Sequence, residues 1–230
     1  MSGETDGDQT AMTDHEPVIG DDDLTIASIV ESNGQMDYVA EVYRDHDKAT
    51  VPEKQDYEFG QPVYVKTTVR GEERALVGVV YESRLVNPDQ GRDGPRLSTP
   101  DQELFVPGYV DERQTLLGIA LLGFAELAPA DGADGQGFAS VSQELPRWTL
   151  DIDDSVSKLS GAGFRRFHQP DGQLALRYYD RLITAAERFG AEVTLSLIER
   201  LRVETDREAM LDVIERKVRW EASTDRGVVR

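Results

Sequence analysis

Arg165, Arg166 and His168 are the residues of this chain whose types and spacing come closest to a binding site. They follow one another in the segment FRRFH (164–168). On one interpretation, the two guanidinium groups and the imidazole form a cationic patch that binds phosphate or a carboxylate of a partner. On the other, the two phenylalanines pack in a core and His168 lies at its edge. We favour the packing interpretation, because isolated basic clusters are common on protein surfaces.

The other residues with catalytic or ligand chemistry do not form a recognisable site. His15 is not part of an HExxH zinc motif, and His46 has carboxylate neighbours but no second histidine at helical spacing. Paired carboxylates at 21–23, 72–73 and 153–154 fall in a predicted tail, a turn and a helix start, not in an apolar cleft. We therefore expect no catalytic residue, no metal and no cofactor, and we predict that the protein is not an enzyme.

Several sequence motifs that would identify a class of protein are absent. The chain has no Gly-Lys-Ser or Gly-Lys-Thr, which excludes a phosphate-binding P-loop. It has no cysteine, which excludes disulfides, cysteine-ligated zinc, iron–sulfur clusters and thiol nucleophiles. No apolar stretch is long enough to cross a bilayer, and the N-terminus lacks the order of a signal peptide. The sequence predicts a cytoplasmic protein that does not bind membranes.

Acidic residues are concentrated in the first two thirds of the chain. The net charge is −19, and residues 1–157 hold 11 basic and 32 acidic side chains, whereas residues 158–230 hold 14 basic and 12 acidic ones. Lysine is scarce, with 5 residues against 20 arginines. Strong acidity with few lysines is typical of a protein from a salt-rich, halophilic cytoplasm, where salt screens self-repulsion. A surface that mimics nucleic acid or binds cations is the less favoured interpretation.

The N-terminal part of the chain predicts an acidic tail followed by a small β-barrel. Residues 1–23 carry eight acids and no lysine or arginine, so we expect a disordered tail. From Leu24 to residue 128 the apolar residues alternate in short runs separated by turns, and 59–81 reads as a β-hairpin. Residues 87–100 form an irregular connection, and 104–106 a short strand.

The apolar run TLLGIALLGFAEL (115–127) fits either a buried strand or a buried helix. Gly118 and Gly123 would each weaken a helix by about 1 kcal/mol relative to alanine, and in a small barrel glycine lets a strand bend. We therefore predict a strand.

The C-terminal part predicts helices. A Gly/Asp linker spans 129–140, a helical segment of about three helices spans 141–222, and a short tail spans 223–230. Apolar residues recur at steps of three and four after Asp171, the expected N-cap, up to Gly190, the expected stop. The fold class predicted is α+β, an antiparallel barrel followed by helices. We expect the helices to dock on the barrel, with four residues in or beside the contact: Trp148, Leu150, Phe164 and Phe167.

The segment from Leu24 to Leu127 resembles the HAS-barrel, the N-terminal β-barrel that HerA-type DNA-translocating ATPases share with rotary ATP synthase subunits. The resemblance rests on four segments: IASIVES (26–32), FGQPVYVKT (59–67), ALVGVVYESRLVNP (75–88) and TLLGIALLGFAE (115–126). In that family the barrel helps to build a hexameric ring and offers a docking surface for the nuclease NurA. The family's ATPase core should follow the barrel, and here a helical segment stands in its place.

The resemblance implies a stand-alone, non-catalytic module for protein–protein interaction or assembly, linked to DNA repair or to an ATPase ring. Its implied partner is an ATPase or nuclease subunit, and it could form oligomers. The alternative is a nucleic-acid-binding module that uses an OB-like barrel face. Exposed aromatic residues on the barrel would distinguish it, and the candidates are Tyr38, Tyr43, Tyr64 and Tyr81. Direct nucleic-acid binding is less favoured, because the C-terminal arginines alternate with acids.

Overall fold

The computed structural model describes residues 18–20, 22–45, 47–86, 114–129, 135–205 and 208–227. In these ranges seven strands precede four helices. The strands are β1 (Thr25–Ser32), β2 (Asp37–Val42), β3 (Pro62–Val69), β4 (Glu72–Val86), β5 (Gln114–Leu127), β6 (Phe138–Ser142) and β7 (Ser155–Lys158). The helices are α1 (Gly161–His168), α2 (Tyr179–Ala185), α3 (Gly190–Glu204) and α4 (Glu208–Gly227). His15, His46 and the strand expected at 104–106 lie outside the described residues.

Six of the strands close into an antiparallel barrel. Around the barrel the order is β1, β2, β5, β4, β3 and β7, and β7 pairs back with β1. The long strand β5 pairs with β2 through its first half and with the extra strand β6 through its second half. The predicted fold class is confirmed, and the run at 115–127 is a strand.

The hairpin of β3 and β4 turns on two residues in the left-handed backbone region. Arg70 has φ 55° and Gly71 has φ 86°, and β3 pairs with β4 in register from Pro62 to Val69. Two central residues with positive φ are the requirement of the type I′ turn, whose twist matches that of the strands. The local pattern at 59–81 therefore fixes this hairpin.

The strands β3, β4 and β5 are buried on both faces. One set of alternating side chains fills the barrel interior, including Val63, Val65, Leu76, Val80, Leu117, Ile119 and Leu121. The alternate set packs under the helices, including Tyr64, Ala75, Val77, Val79, Ala120, Leu122 and Ala125. Burial on both faces explains why these strands read as near-continuous apolar runs rather than as a polar and apolar alternation.

The barrel and the helices share one core. Phe164 (2% exposed) and Phe167 (0%) of α1 lie in the same cluster as the outer residues of β3 to β5 and the apolar residues of α2 and α3. Leu150 and Trp148 belong instead to the barrel-interior cluster, where the Trp148 ring lies 5.0 Å from that of Phe124. The expectation that these two residues lie beside the helices is therefore wrong, because the loop before β7 lies against the barrel core.

The helical part begins later than the sequence suggested. Residues 138–142 and 155–158, expected to be linker or helix, form β6 and β7, and the first helix starts at Gly161. Asp153 and Asp154 precede a strand, not a helix. Strand β7 is only four residues long and contains one fully buried residue, Val156, so it carries no readable period.

Gly190 begins α3 rather than ending a helix, and Asp171 caps none, since α2 begins only at Tyr179. A Cβ at Gly190 would lie 2.2 Å from the carbonyl oxygen of Ile183, so the glycine permits close contact between α2 and α3. The apolar residues of the predicted helix fall on the irregular segment before α2, on α2 and on the 3-10 turn Glu187–Phe189, so no single helix carries them.

The end of the predicted N-terminal tail is ordered. Val18 and Ile19 are each 3% exposed, and Ile19 forms an antiparallel bridge with Gln136. These two apolar residues offset their ordering entropy by burial in the core under the helices. The expectation of disorder up to residue 23 is therefore wrong for 18–20 and 22–23, and residues 1–17 lie outside the described part.

Candidate functional site: a groove between barrel and helices

The structure places His168 in the core rather than at the surface. Its side chain is fully buried, and its ring lies against the rings of Phe164 and Phe167, with centroids 4.4 and 5.2 Å away. Nδ1 lies 2.8 Å from the carbonyl oxygen of Phe164, and Nε2 lies 2.6 Å from the hydroxyl of Tyr178. Burial lowers the pKa of His168 from 6.5 to about 4, so the imidazole is neutral at neutral pH.

The alternative interpretation, a cationic patch of three residues, is therefore wrong for His168, which lies within the core and not at its edge. Arg165 and Arg166 are half-buried, and Arg166 donates a hydrogen bond to the carbonyl of Pro170 at 2.9 Å. His168 faces away from solvent and adds no charge to them. Its spacing of four residues from Phe164 on α1 is the signal that agrees with the packing interpretation.

Three of the four tyrosines proposed as a stacking surface are buried. Tyr38, Tyr64 and Tyr81 are 0%, 4% and 8% exposed, and their hydroxyl groups are hydrogen-bonded within the protein. Tyr43 is half-buried and lies under the Lys48 ammonium, 4.9 Å from its ring centroid. These residues pack the barrel and do not present a row of ring faces to a nucleic acid.

A groove of about 580 Å³ lies where one end of the barrel meets the helices. Apolar residues line it from both halves: Leu24 before β1, Pro62 at the start of β3, Leu159 after β7 and Phe164 of α1. At its edge, Val203 in the last turn of α3 is 85% exposed. The groove thus has an apolar lining and an exposed aliphatic residue beside it.

Charged residues line the same groove and form two ion pairs between distant parts of the chain. Lys158 Nζ lies 2.9 Å from Asp56, and this hydrogen bond holds the pKa of Asp56 below its ordinary value. Arg200 of α3 pairs with Glu58, which follows the 3-10 turn at 54–57. Both acids sit on the polar loop between β2 and β3, so the ion pairs join this loop to β7 and α3.

The start of α1 forms another part of the groove. Ser160 is the N-cap: its hydroxyl accepts a hydrogen bond from the Gly163 amide at 3.1 Å and donates one to the Val18 carbonyl at 3.0 Å. A Cβ at Gly161 would lie 2.4 Å from Oε1 of Glu204, so glycine allows this carboxylate to approach the helix start. The dipole of α1 favours the negative charge of Glu204 at the N-terminus of this helix.

Sequence reasoning did not identify the groove, and only one of its residues carries a local signal. On α3 the buried residues Val193, Leu197 and Leu201 follow the helical period, while Val203 lies two positions beyond Leu201, on the opposite face. Val203 is thus an apolar residue outside the apolar stripe of its helix. The ion pairs join residues more than 100 positions apart and leave no pattern in the sequence.

Among the described residues, no group of three or more His, Asp or Glu side chains is placed to hold a metal ion. Within the same ranges, no helix is both long and apolar enough to span a membrane. The groove is lined by apolar and charged residues together, a composition that many protein interfaces share.

The fold defines an α+β protein in which a closed antiparallel barrel carries a layer of helices on one flank. The chain belongs to the family described as Domain of unknown function (DUF8166), whose model matches residues 10–229. No curated protein matches the chain.

Proposed function

We propose that this protein is a non-catalytic module for protein interaction or assembly, and that the groove receives its partner. By its resemblance to the HAS-barrel, the partner is an ATPase or nuclease subunit of a DNA-repair or ATPase-ring assembly, in a salt-rich cytoplasm. The observation that carries the proposal is the groove itself, with its apolar lining, its charged rim and the exposed Val203.

The composition of the groove supports a protein partner over a small molecule. Pockets for small ligands are enclosed and mostly apolar, with a few convergent polar groups. Here Gln55, Glu58 and Gly161 are exposed, and the charges of Lys158 and Arg200 are already paired within the chain. A partner that covers the groove would exclude water from the apolar lining while these pairs remain at the rim.

The position of the helices supports a role that differs from that of a motor subunit. The outer faces of β3, β4 and β5 pack against the chain's own helices, with Phe167, Leu182 and Leu197 in the contact. In the HAS-barrel family an ATPase core follows the barrel, whereas here a helical layer follows it. The groove forms at the border of that layer.

A pull-down with matched variants tests the proposal. The full chain, immobilised at high salt, is expected to recover an ATPase or nuclease subunit, and Val203→Glu is expected to abolish the recovery. Ile152→Glu is the control, because Ile152 is 61% exposed, is also β-branched and does not line the groove. Recovery of only unrelated proteins overturns the proposed partner, and equal recovery by both variants overturns the groove as its site.

The same preparation tests the nucleic-acid alternative. Fluorescence anisotropy with a labelled single-stranded DNA, repeated over a range of KCl concentrations, is expected to show no binding. Binding that weakens steeply with salt would mean that phosphate contacts contribute the affinity, and it would replace the proposed function with the nucleic-acid alternative.

A further inference from the structure

Helix α4 has two apolar faces. Leu211 and Val218 are fully buried, and Leu211 packs in the core with residues of the other helices. Met210, Val213 and Trp220 point elsewhere and are 45%, 59% and 67% exposed. A surface helix needs one apolar face for the core, so the second face requires its own explanation.

The exposed face has the spacing of a coiled-coil seam. Positions 210, 213, 217 and 220 are separated by three, four and three residues, the repeat of the a and d positions of a heptad. We call these four residues the α4 seam: Met210, Val213, Lys217 and Trp220.

Lys217 can occupy a seam position because neighbouring groups of its own chain hold its ammonium. Its ammonium lies 4.5 Å from the ring centroid of Tyr179, and 3.9 and 3.7 Å from carboxylate oxygens of Asp180 and Glu221. The aliphatic stem of such a lysine can cover apolar surface while its charged end stays in water. A single lysine at an a position also favours one register over others.

We propose that the α4 seam binds the same seam of a second copy of this chain, as a parallel two-stranded helix pair. In heptad terms Arg216 is a g residue and Glu221 is the e residue five positions later. In a parallel pair these two positions meet across the interface, which places opposite charges together on both sides of the seam. An antiparallel pair places g positions opposite g positions and e positions opposite e positions, so Arg216 would not face Glu221.

The distribution of charge also favours a second copy at this place. Residues 1–157 have 32 acidic and 11 basic side chains, so two copies repel each other through most of the barrel surface. Residues 158–230 have 12 acidic and 14 basic side chains, so a contact through α4 meets little repulsion. At 20 residues α4 is about 30 Å long, and the seam occupies positions 210–220 of it.

Light scattering coupled to size exclusion tests the dimer on the full chain at high salt. The wild type is expected to have twice the mass of the chain, and Val213→Glu/Trp220→Glu is expected to be a monomer. Leu85→Glu is the control, because Leu85 is 84% exposed at the end of β4, away from the seam, and this variant should remain a dimer. Circular dichroism checks that each variant is folded. A monomeric wild type, or a folded double variant that remains dimeric, overturns the proposal.

The orientation is tested by cross-linking, for which the absence of cysteine makes the chain well suited. Val213→Cys is expected to form a disulfide-linked dimer on oxidation, since a d residue of a parallel pair faces itself. Leu85→Cys is the control and should stay unlinked. A dimer in which Val213→Cys does not cross-link overturns the parallel arrangement.

Reversal of the flanking charges gives a second readout of orientation. Arg216→Glu or Glu221→Arg alone should weaken the dimer, and the two together should restore it. Failure of the double reversal to restore the dimer contradicts the proposed pairing. None of these substitutions lies in the groove, so loss of the dimer with an intact pull-down would leave the proposed function standing.

Discussion

The Nε2 atom of His168 lies 2.6 Å from the hydroxyl oxygen of Tyr178, with both side chains fully buried. The other ring nitrogen, Nδ1, lies 2.8 Å from the Phe164 carbonyl, which can only accept a hydrogen bond. Nδ1 must therefore carry the proton, and Nε2 accepts the hydrogen bond that Tyr178 donates. This pair joins α1 to the residue before α2 and requires a neutral imidazole.

The free energy of unfolding should fall as the pH drops from 6.5 to about 4. Burial lowers the pKa of His168 in the folded state, so in this window the unfolded chain binds the proton more readily than the folded one. The stability that the neutral imidazole contributes is present above pH 6.5 and is lost as the pH falls. A pKa difference of this size between the folded and unfolded states corresponds to about 3 kcal/mol in the free energy of unfolding.

Urea unfolding at constant high salt, measured from pH 7 to pH 4, checks this dependence. His168→Gln is the control, since its amide can donate to Phe164 and accept from Tyr178 but does not titrate. Carboxylates titrate equally in both proteins, so the difference between them isolates the imidazole. Parallel pH profiles for the two proteins would contradict the prediction.

Tyr178→Phe should destabilise the protein by about 1 to 3 kcal/mol, because it leaves the buried Nε2 of His168 without a donor. Tyr43→Phe is the matched control: the Tyr43 hydroxyl bonds Ser155 at 3.2 Å in an exposed position, so its loss should change the free energy of unfolding little. Chemical unfolding at pH 7 gives both values. Equal effects in the two variants would mean that the buried hydrogen bond contributes nothing beyond an exposed one.

The barrel was predictable because its central strands carry their own signal. β3 and β4 are valine-rich strands that meet at the Arg70–Gly71 turn, so local pattern and turn chemistry agree. The strand that closes the barrel was not predictable. β7 has four residues and a single buried valine, and its pairing with β1 and β3 depends on partners about 90 to 130 positions away.

The site was less predictable than the fold, because its contacts also join residues that lie far apart in the sequence. Lys158 and Asp56 are 102 positions apart, and Arg200 and Glu58 are 142 apart, so neither pair exists until the barrel and helices have docked. His168 is the opposite case. Its contact with Phe164 is a local one of helix α1, at the four-residue spacing that the segment FRRFH carries in its sequence.

Gln143→Leu should cost about 3 kcal/mol or more, because Gln143 satisfies three backbone groups at the join between β6 and the helices. Its amide nitrogen donates to the carbonyls of Phe167 and Ala175, and its oxygen accepts from the Arg177 amide at 2.7 Å. Leucine keeps the volume and removes every one of these bonds. Gln55→Leu, at an exposed position, is the control in urea unfolding. A change as small as that of the control would show that water replaces the lost partners.

Gly123→Ala should destabilise the protein by about 1 to 3 kcal/mol through overpacking of backbone against backbone. A Cβ at Gly123 would lie 2.2 Å from the carbonyl oxygen of Ser142 and 2.8 Å from the Cα of Gln143, so β6 would have to move away from β5. Gly34→Ala is the control, since nothing lies within 4 Å of its added Cβ. Thermal unfolding of both variants at high salt compares them. A wild-type melting temperature for Gly123→Ala would mean that β6 moves without cost.

Stability should rise with salt concentration, because the chain has a net charge of −19 that is concentrated in residues 1–157. Self-repulsion destabilises the compact state, and raising ionic strength from about 0.1 M to about 1 M shortens the screening length from about 10 Å to about 3 Å. Surface ion pairs such as Arg202 with Asp212 and Glu215 are weakened by the same screening, but exposed pairs contribute little each.

Urea is the denaturant of choice because guanidinium would itself screen the charges, and the midpoint of unfolding is measured over a KCl series. Screening saturates, so most of the gain should come at low salt. A steady rise up to the highest concentration would indicate salt exclusion from the surface instead, and a fall with KCl would mean that the ion pairs outweigh the repulsion.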